Sequence, residues 1–154
     1  MWCFLVRVLP SLVAERIESV KAGLAGAIAF TVADLTAILL NNLIFVPWGV
    51  GFRLLQLNSL LDSLITIATA LVSGFLFGVT YRYIIRSDRN SHLKDGAVMA
   101  FGLVRGLALL EATAIKSGQF WSLSILIAEG IISFAIARYC LDFALGKKFI
   151  KPFL

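Results

Sequence analysis

The residues that carry most protein chemistry are nearly absent from this chain. Its 154 residues include one histidine, His92, and two cysteines, Cys3 and Cys140, at opposite ends. One imidazole and two distant thiols cannot assemble an ordinary zinc or haem site or a disulfide framework. The cysteines are read as small apolar fillers. No Gly-x-Ser-x-Gly, phosphate-binding loop, His-Glu-x-x-His or Cys-x-x-Cys spacing occurs. Proteolysis inside a membrane needs a Ser–His pair, a metal cluster or two aspartates at matched depth, and Asp34 has no aspartate at its depth. The expectation is a non-enzymatic protein without metal or cofactor.

Charge is scarce as well. Only 15% of the residues are charged and 60% are hydrophobic, with a mean hydropathy of +0.93; soluble domains are about 25% charged. A soluble fold of this length leaves roughly 30% of its chain surface in water, too much for such a composition to cover. Disorder and collagen are excluded on the same grounds. The bilayer is the remaining solvent. The net charge of +5 and pI near 9.6 would suggest nucleic acid in a soluble protein. Here the basic residues form short clusters between apolar runs, without aromatic interleaving or a recognition-helix pattern, so no nucleic-acid partner is expected.

Four apolar runs are present, at 21–46, 62–85, 95–115 and 120–146. A helix needs roughly 20 residues to cross about 30 Å of hydrocarbon, and none of the runs alternates as a membrane strand does. The pattern predicts an all-α, four-helix transmembrane bundle forming a single domain. Arg7 and Pro10 interrupt the apolar start, which reads as retained rather than as a cleaved signal. After Pro10, Ser11 caps a short amphipathic helix over 11–20. Its Leu12, Val13, Ile17 and Val20 lie opposite Glu15 and Glu18, so it is predicted to rest on the membrane surface. In the first connection Trp48, Phe52 and Leu54 suit the interface; the other two are short and force antiparallel neighbours.

With four spans, both termini and the second connection share a side. That side holds Arg7, Arg16, Lys21, Arg82, Arg86, Arg89, Lys94, Lys147, Lys148 and Lys151, while the other has Arg53 and Lys116. The bias places both termini in the cytoplasm, or in the stroma of a plastid, and the protein in a plasma or thylakoid membrane. Arg82, Arg86, Arg89 and Lys94 form a basic hairpin that suits anionic headgroups or an acidic partner.

Helices in lipid associate by close packing and internal polar contacts. Small residues supply the first: Gly23 and Gly26 on the first span, Ala70, Gly74 and Gly78 at intervals of four on the second, Gly102 and Gly106 on the third. These stripes are expected to pack within the bundle, with homo-oligomerisation through the same faces as the alternative. Four ionisable residues supply the second. Asp34 lies 13 residues beyond Lys21, Arg105 11 beyond Lys94, and Glu129 10 beyond Gln119, depths of about 20, 17 and 15 Å at about 1.5 Å per residue. All three fall near the midplane, where an unpaired charge costs about 2.5–3.5 kcal/mol or more. Arg105 is therefore expected to bond to Glu129, to Asp34 or to both, with Glu111 nearer the outer face. The cluster reads either as a structural pair fixing helix register or as a proton or ion relay.

A faint internal echo relates Lys21-Ala-Gly23 to Lys94-Asp-Gly96, a shift of 73, and Gly74-Phe75 to Ser133-Phe134, a shift of 59. Duplicated helical hairpins would explain it; so would the small-residue bias of membrane helices. The run from Ser73-Gly-Phe-Leu-Phe-Gly-Val-Thr-Tyr-Arg82 to Arg86, continuing through His92-Leu-Lys-Asp-Gly96 and Phe101-Gly-Leu-Val-Arg-Gly106, resembles an uncharacterised family of small integral membrane proteins of cyanobacteria and plastids. The resemblance covers the middle third and, more loosely, Lys21 to Asp34. It implies a four-span protein of a photosynthetic membrane and brings no catalytic residues. The expected function is that of a scaffold, assembly factor or accessory subunit in contact with other membrane proteins. The alternative is a small oligomeric transporter or channel using the midplane cluster.

Overall fold

A membrane-embedded backbone must satisfy its own hydrogen bonds, which leaves helices as the economical answer for a chain without alternating strands. A computed structural model describes residues 2–44, 60–85, 91–112 and 120–151. It contains helices α1 (Trp2–Ile44), α2 (Leu60–Ile84), α3 (Ser91–Ala112) and α4 (Phe120–Gly146). No strand occurs among the described residues, and the fold is an all-α bundle. Three helices, α1, α2 and α4, are long and apolar enough to cross a membrane. The composition of α3 is different. Any 18-residue stretch of it carries at least three charged residues drawn from Lys94, Asp95, Arg105 and Glu111.

The predicted surface helix over 11–20 does not exist as a separate element. It is the upper part of α1, a continuous helix of 43 residues that is roughly 65 Å long at about 1.5 Å per residue. Pro10 lies inside it: proline removes one helical hydrogen bond, and here the helix continues through it. The amphipathic pattern has its polar side turned inward. Leu12, Val13, Ile17 and Val20 point outward, whereas Ser19 is buried and Glu15 and Glu18 are half-buried. The reason is a cation on the neighbouring helix, described below.

Helices α1 and α2 pack closely, as do α3 and α4, giving two antiparallel hairpins. The hairpins join along α1 and α4, whereas α2 and α3 touch only sparsely. Glycine sets both hairpin interfaces. A Cβ on Gly26 would stand 2.6 Å from the Gly74 carbonyl oxygen, and one on Gly74 would stand 2.7 Å from that of Gly26. Gly78 faces the Ala22 carbonyl, and Gly23 lies against the Phe75 ring. In the second hairpin Gly102 and Gly106 lie on Ile131 and Ile127, and Gly130, not singled out in the sequence, faces the Gly102 carbonyl. Ala70 is buried on α2. The small-residue stripes are thus packed inside the chain.

Part of the packing pattern of the first hairpin recurs in the second, at a register other than the one the sequence echo suggests. Buried Ala22, Gly26 and Phe30 of α1 correspond to buried Val98, Gly102 and Gly106 of α3, 76 positions on. Buried Ala70, Gly74, Phe77, Gly78 and Tyr81 of α2 correspond to buried Leu126, Gly130, Ser133, Phe134 and Ala137 of α4, 56 positions on. Arg82-Tyr83 falls on Arg138-Tyr139 at the same shift. At the shift of 73 the partner of tightly packed Gly23 would be Gly96, which has no atom within 4 Å of its added Cβ.

Rings from all four helices fill the centre. Phe30 stacks on Phe134 with centroids 4.1 Å apart, Phe77 lies 5.0 Å from Phe134, and Phe101 lies 5.4 Å from Phe77. Substitution distinguishes the packed glycines from the open one. Gly26→Ala drives a methyl into backbone and is expected to lower unfolding stability in detergent by about 1–3 kcal/mol. Gly96→Ala gains helix propensity without a clash and is expected to raise it by about 0.5–1 kcal/mol.

Candidate functional site

Two polar layers sit on either side of the aromatic layer. The first lies at the end of the bundle holding the start of α3 and the end of α4. Its centre is Arg82, 1% exposed and the largest fully buried side chain among the described residues. Its guanidinium pairs with the Glu15 carboxylate, donates from Nη1 to Ser19 Oγ at 2.7 Å and to the Glu15 carbonyl at 3.1 Å, and donates from Nε to the Lys151 carbonyl at 2.8 Å. A guanidinium presents five donors in a rigid fork, and here α1 and the segment after α4 meet it from two directions. That segment turns at Lys148, whose φ is 60°, buries Ile150, and donates the Lys151 N–H to Glu18 at 3.0 Å.

Arg138, the counterpart of Arg82, pairs with Asp95 and lies 3.8 Å from Asp142. Asp142 accepts from Tyr81 Oη at 2.8 Å and from Lys94 Nζ at 3.1 Å. Each hairpin therefore ties its first helix to its second through an arginine at the same height: Ser19 with Arg82, and Asp95 with Arg138.

The second layer is the midplane cluster. Arg105 Nη2 donates to Asp34 Oδ2 at 2.9 Å, and Nη1 makes a long contact of 3.4 Å to Ser73 Oγ. The guanidinium also stands 5.2 Å over the Phe30 ring. The pair is mostly shielded, with side-chain exposures of 11% and 14%. Glu129 on α4 is half-buried and within electrostatic range of Asp34. No hydrogen bond joins it to Arg105, and Arg105 Nε is buried without an acceptor. Of the two partners expected for Arg105, the structure supplies Asp34 alone. At the hairpin register Ser73 is the counterpart of Glu129, Ala29 of Arg105, and Leu110 of Asp34. The two halves differ in charge where they meet.

Several predicted positions have a different setting from the expected one. Arg82 is not part of a solvated basic hairpin; it is a buried hub, because two acids and a hydroxyl on α1 face it. Lys94 is tied to Asp142. Arg86 and Arg89 lie outside the described residues, as do Trp48, Phe52 and Leu54 of the first connection, and the side chain of Glu111 lies outside the described side chains. Cys140 is free and exposed rather than a core filler. Among the described residues no group of three or more His, Cys, Asp or Glu is placed to hold a metal. The sequence reading missed Glu15, Ser19, Ser73, Asp95 and Gly130. The i, i+4 spacing of Glu15 and Ser19 put both on one helix face, but nothing in the sequence told that face from a solvated one.

Comparison of the chain with family models, curated proteins and solved structures finds no match in any of the three.

Removing the hub leaves half-buried Glu15 without its cation and the Lys151 carbonyl without its donor. Breaking such a pair costs about 3 kcal/mol or more, so Arg82→Ala should lower the unfolding midpoint in detergent clearly more than Glu15→Gln. Limited trypsin digestion of the folded variant should also cut after Lys148 faster than in the parent protein.

Proposed function

We propose that the chain is an integral membrane protein serving as a non-enzymatic scaffold, assembly factor or accessory subunit of a larger membrane complex. One observation carries this reading: α2 is packed along α1 but barely against α3, leaving an apolar surface of α2 uncovered among the described residues. Leu64, Ile65, Val72 and Leu76 on it are each more than half exposed. Such a face accepts lipid or another helix. The glycine stripes have no free capacity, so partners would meet larger side chains.

The same proposal takes α3 as a fourth span despite its charges. Lys94 and Asp95 are tied to α4, and Arg105 to α1, which lowers the penalty of carrying them into lipid. The excess of basic residues at the end holding both termini supports a cytoplasmic or stromal location for that end. Exposed Tyr83 and Tyr139, at equivalent positions of the two hairpins, suit the headgroup level. A plasma or thylakoid membrane, and kinship with the cyanobacterial and plastid family, belong to the same proposal.

A second reading has its own support. Transporters built from repeats hold substrates and coupling ions near the midplane where the repeats meet, and the Asp34–Arg105–Glu129 cluster occupies such a place. A small oligomeric transporter or channel is the alternative function.

Extraction in mild detergent followed by sizing should find the protein in a heavier, heteromeric particle, and a lone monodisperse species would overturn the scaffold reading. In reconstituted vesicles the alternative requires pH-dependent flux that is lost in Glu129→Gln or Asp34→Asn. Unchanged flux removes it.

A further inference from the structure

The basic residues at the end of the bundle where α4 finishes fall into two groups. Arg82, Lys94 and Arg138 are taken up by carboxylates on neighbouring helices, and Lys21 by Glu18. Lys147, Lys148 and Lys151 are exposed, and none of their side chains forms an ion pair among the described residues. The nearest acid before them in the chain is Asp142, and none follows. Aromatic rings accompany these lysines. Tyr139, Phe143 and Lys147 recur every fourth residue along one face of α4, with Phe149 just beyond, and the three rings are 70%, 64% and 72% exposed. Lys147 Nζ folds back over the Phe143 ring, 5.7 Å from its centroid.

A second observation concerns the backbone. The chain leaves α4 through a closed turn: Lys148 N–H donates to the Leu145 carbonyl at 3.1 Å, and Phe149 N–H donates to that of Ala144 at 3.0 Å. The left-handed position of such a turn usually belongs to glycine. Here it is Lys148, with φ 60°, although Gly146 stands two residues earlier. The residues that follow hold it in place, because Ile150 is buried and the Lys151 main chain is bonded to both Glu18 and Arg82. Backbone outliers fixed by their surroundings gather at functional positions. What this one turns outward is Lys147, Lys148 and Phe149.

We propose that the turn and the Tyr139–Phe143–Lys147 face form a docking surface for anionic lipid headgroups, with the lysines on the phosphates and the rings at the edge of the acyl chains. This rests on the membrane-spanning reading given above and adds a lipid class at one end of it. Charge complementarity selects the occupant: cations without an internal acid attract a negatively charged leaflet. The exposed rings favour that leaflet over an acidic protein, since aromatic side chains settle at the headgroup boundary. Arg82 and Lys94, basic in the sequence but neutralised by the bundle, have no part in it.

The test is native mass spectrometry of the full-length protein in mild detergent, with phosphatidylglycerol and phosphatidylcholine of identical acyl chains added in equal amounts. Phosphatidylglycerol is expected to be retained in preference. Lys147→Gln combined with Lys148→Asn, asparagine being tolerated in the left-handed region, should lower that preference about tenfold or more. Arg53→Gln combined with Lys116→Gln removes the same charge from the two basic residues that the sequence places on the other side, and should leave the preference unchanged. Glu18→Ala deletes the acceptor of the Lys151 N–H while making the protein more positive; a turn held in place predicts weaker retention, and unspecific attraction predicts equal or stronger. A size-exclusion profile matching the parent protein establishes that each variant is folded. No headgroup preference, equal losses in the two double variants, undiminished retention in Glu18→Ala, or capture of a polyglutamate peptide in place of the lipid overturns the proposal. A protein that alkaline carbonate strips from vesicles removes the membrane reading itself, whereas one that stays embedded without headgroup preference removes only the docking surface.

Discussion

Charges that must live away from water have to find partners inside the chain, and this constraint organises the bundle. Most of its arrangement can be read from which cation meets which acid. Arg82 meets Glu15, Arg138 meets Asp95, Lys94 meets Asp142 and Arg105 meets Asp34. Each pair joins two different helices. In a solvent of acyl chains apolar side chains gain little by facing one another, so these pairs and the backbone contacts at glycine supply the specificity that a hydrophobic core supplies in water. The segment after α4 follows the same logic. Its backbone is held because the Arg82 guanidinium has a donor left over after α1 has been satisfied.

Glycine acts at a different level. Gly26 with Gly74, and Gly102 with Gly130, bring two backbones into direct contact at the same height in each hairpin. The hairpins are alike in their glycine contacts and arginine ties, yet they are joined unequally. Phe30 and Phe134 stack where α1 meets α4; their counterparts by register are Gly106 and Gly78, and α3 and α2 barely meet. The framework thus carries a close aromatic stack where α1 meets α4 and an edge-on ring contact, Phe77 with Phe101, where α2 meets α3. The cluster of Asp34, Ser73, Arg105 and Glu129 lies between them, built from positions at which the halves have diverged. This is where the two hairpins differ in charge.

Much of this was legible in the residues. Composition named the solvent, the apolar runs located the helices, and the spacing of small residues marked the faces that pack. The depths of Asp34, Arg105 and Glu129 from their flanking residues were enough to make Asp34 one of two candidate partners for Arg105. The second helix of each hairpin carries Gly-x7-Arg-Tyr, at Gly74 to Tyr83 and Gly130 to Tyr139, the clearest written trace of the repeat. Small residues are so common in membrane helices that an echo at 73 residues was as visible as this one.

What the sequence determined by itself follows from solvent and period: an all-α chain with long apolar helices, few charges, and small residues one turn apart. These properties depend only on local composition and on the geometry of one helix. Only the tertiary structure decided that residues 11–20 continue α1 rather than lie apart, that Arg82 is buried rather than solvated, and that Arg105 chooses Asp34 over Glu129. Each of those outcomes depends on the rotation of one helix about its axis relative to another. A helix carries its polar residues to a partner or to solvent with equal ease, and which one it meets is set by a neighbour far away in the chain.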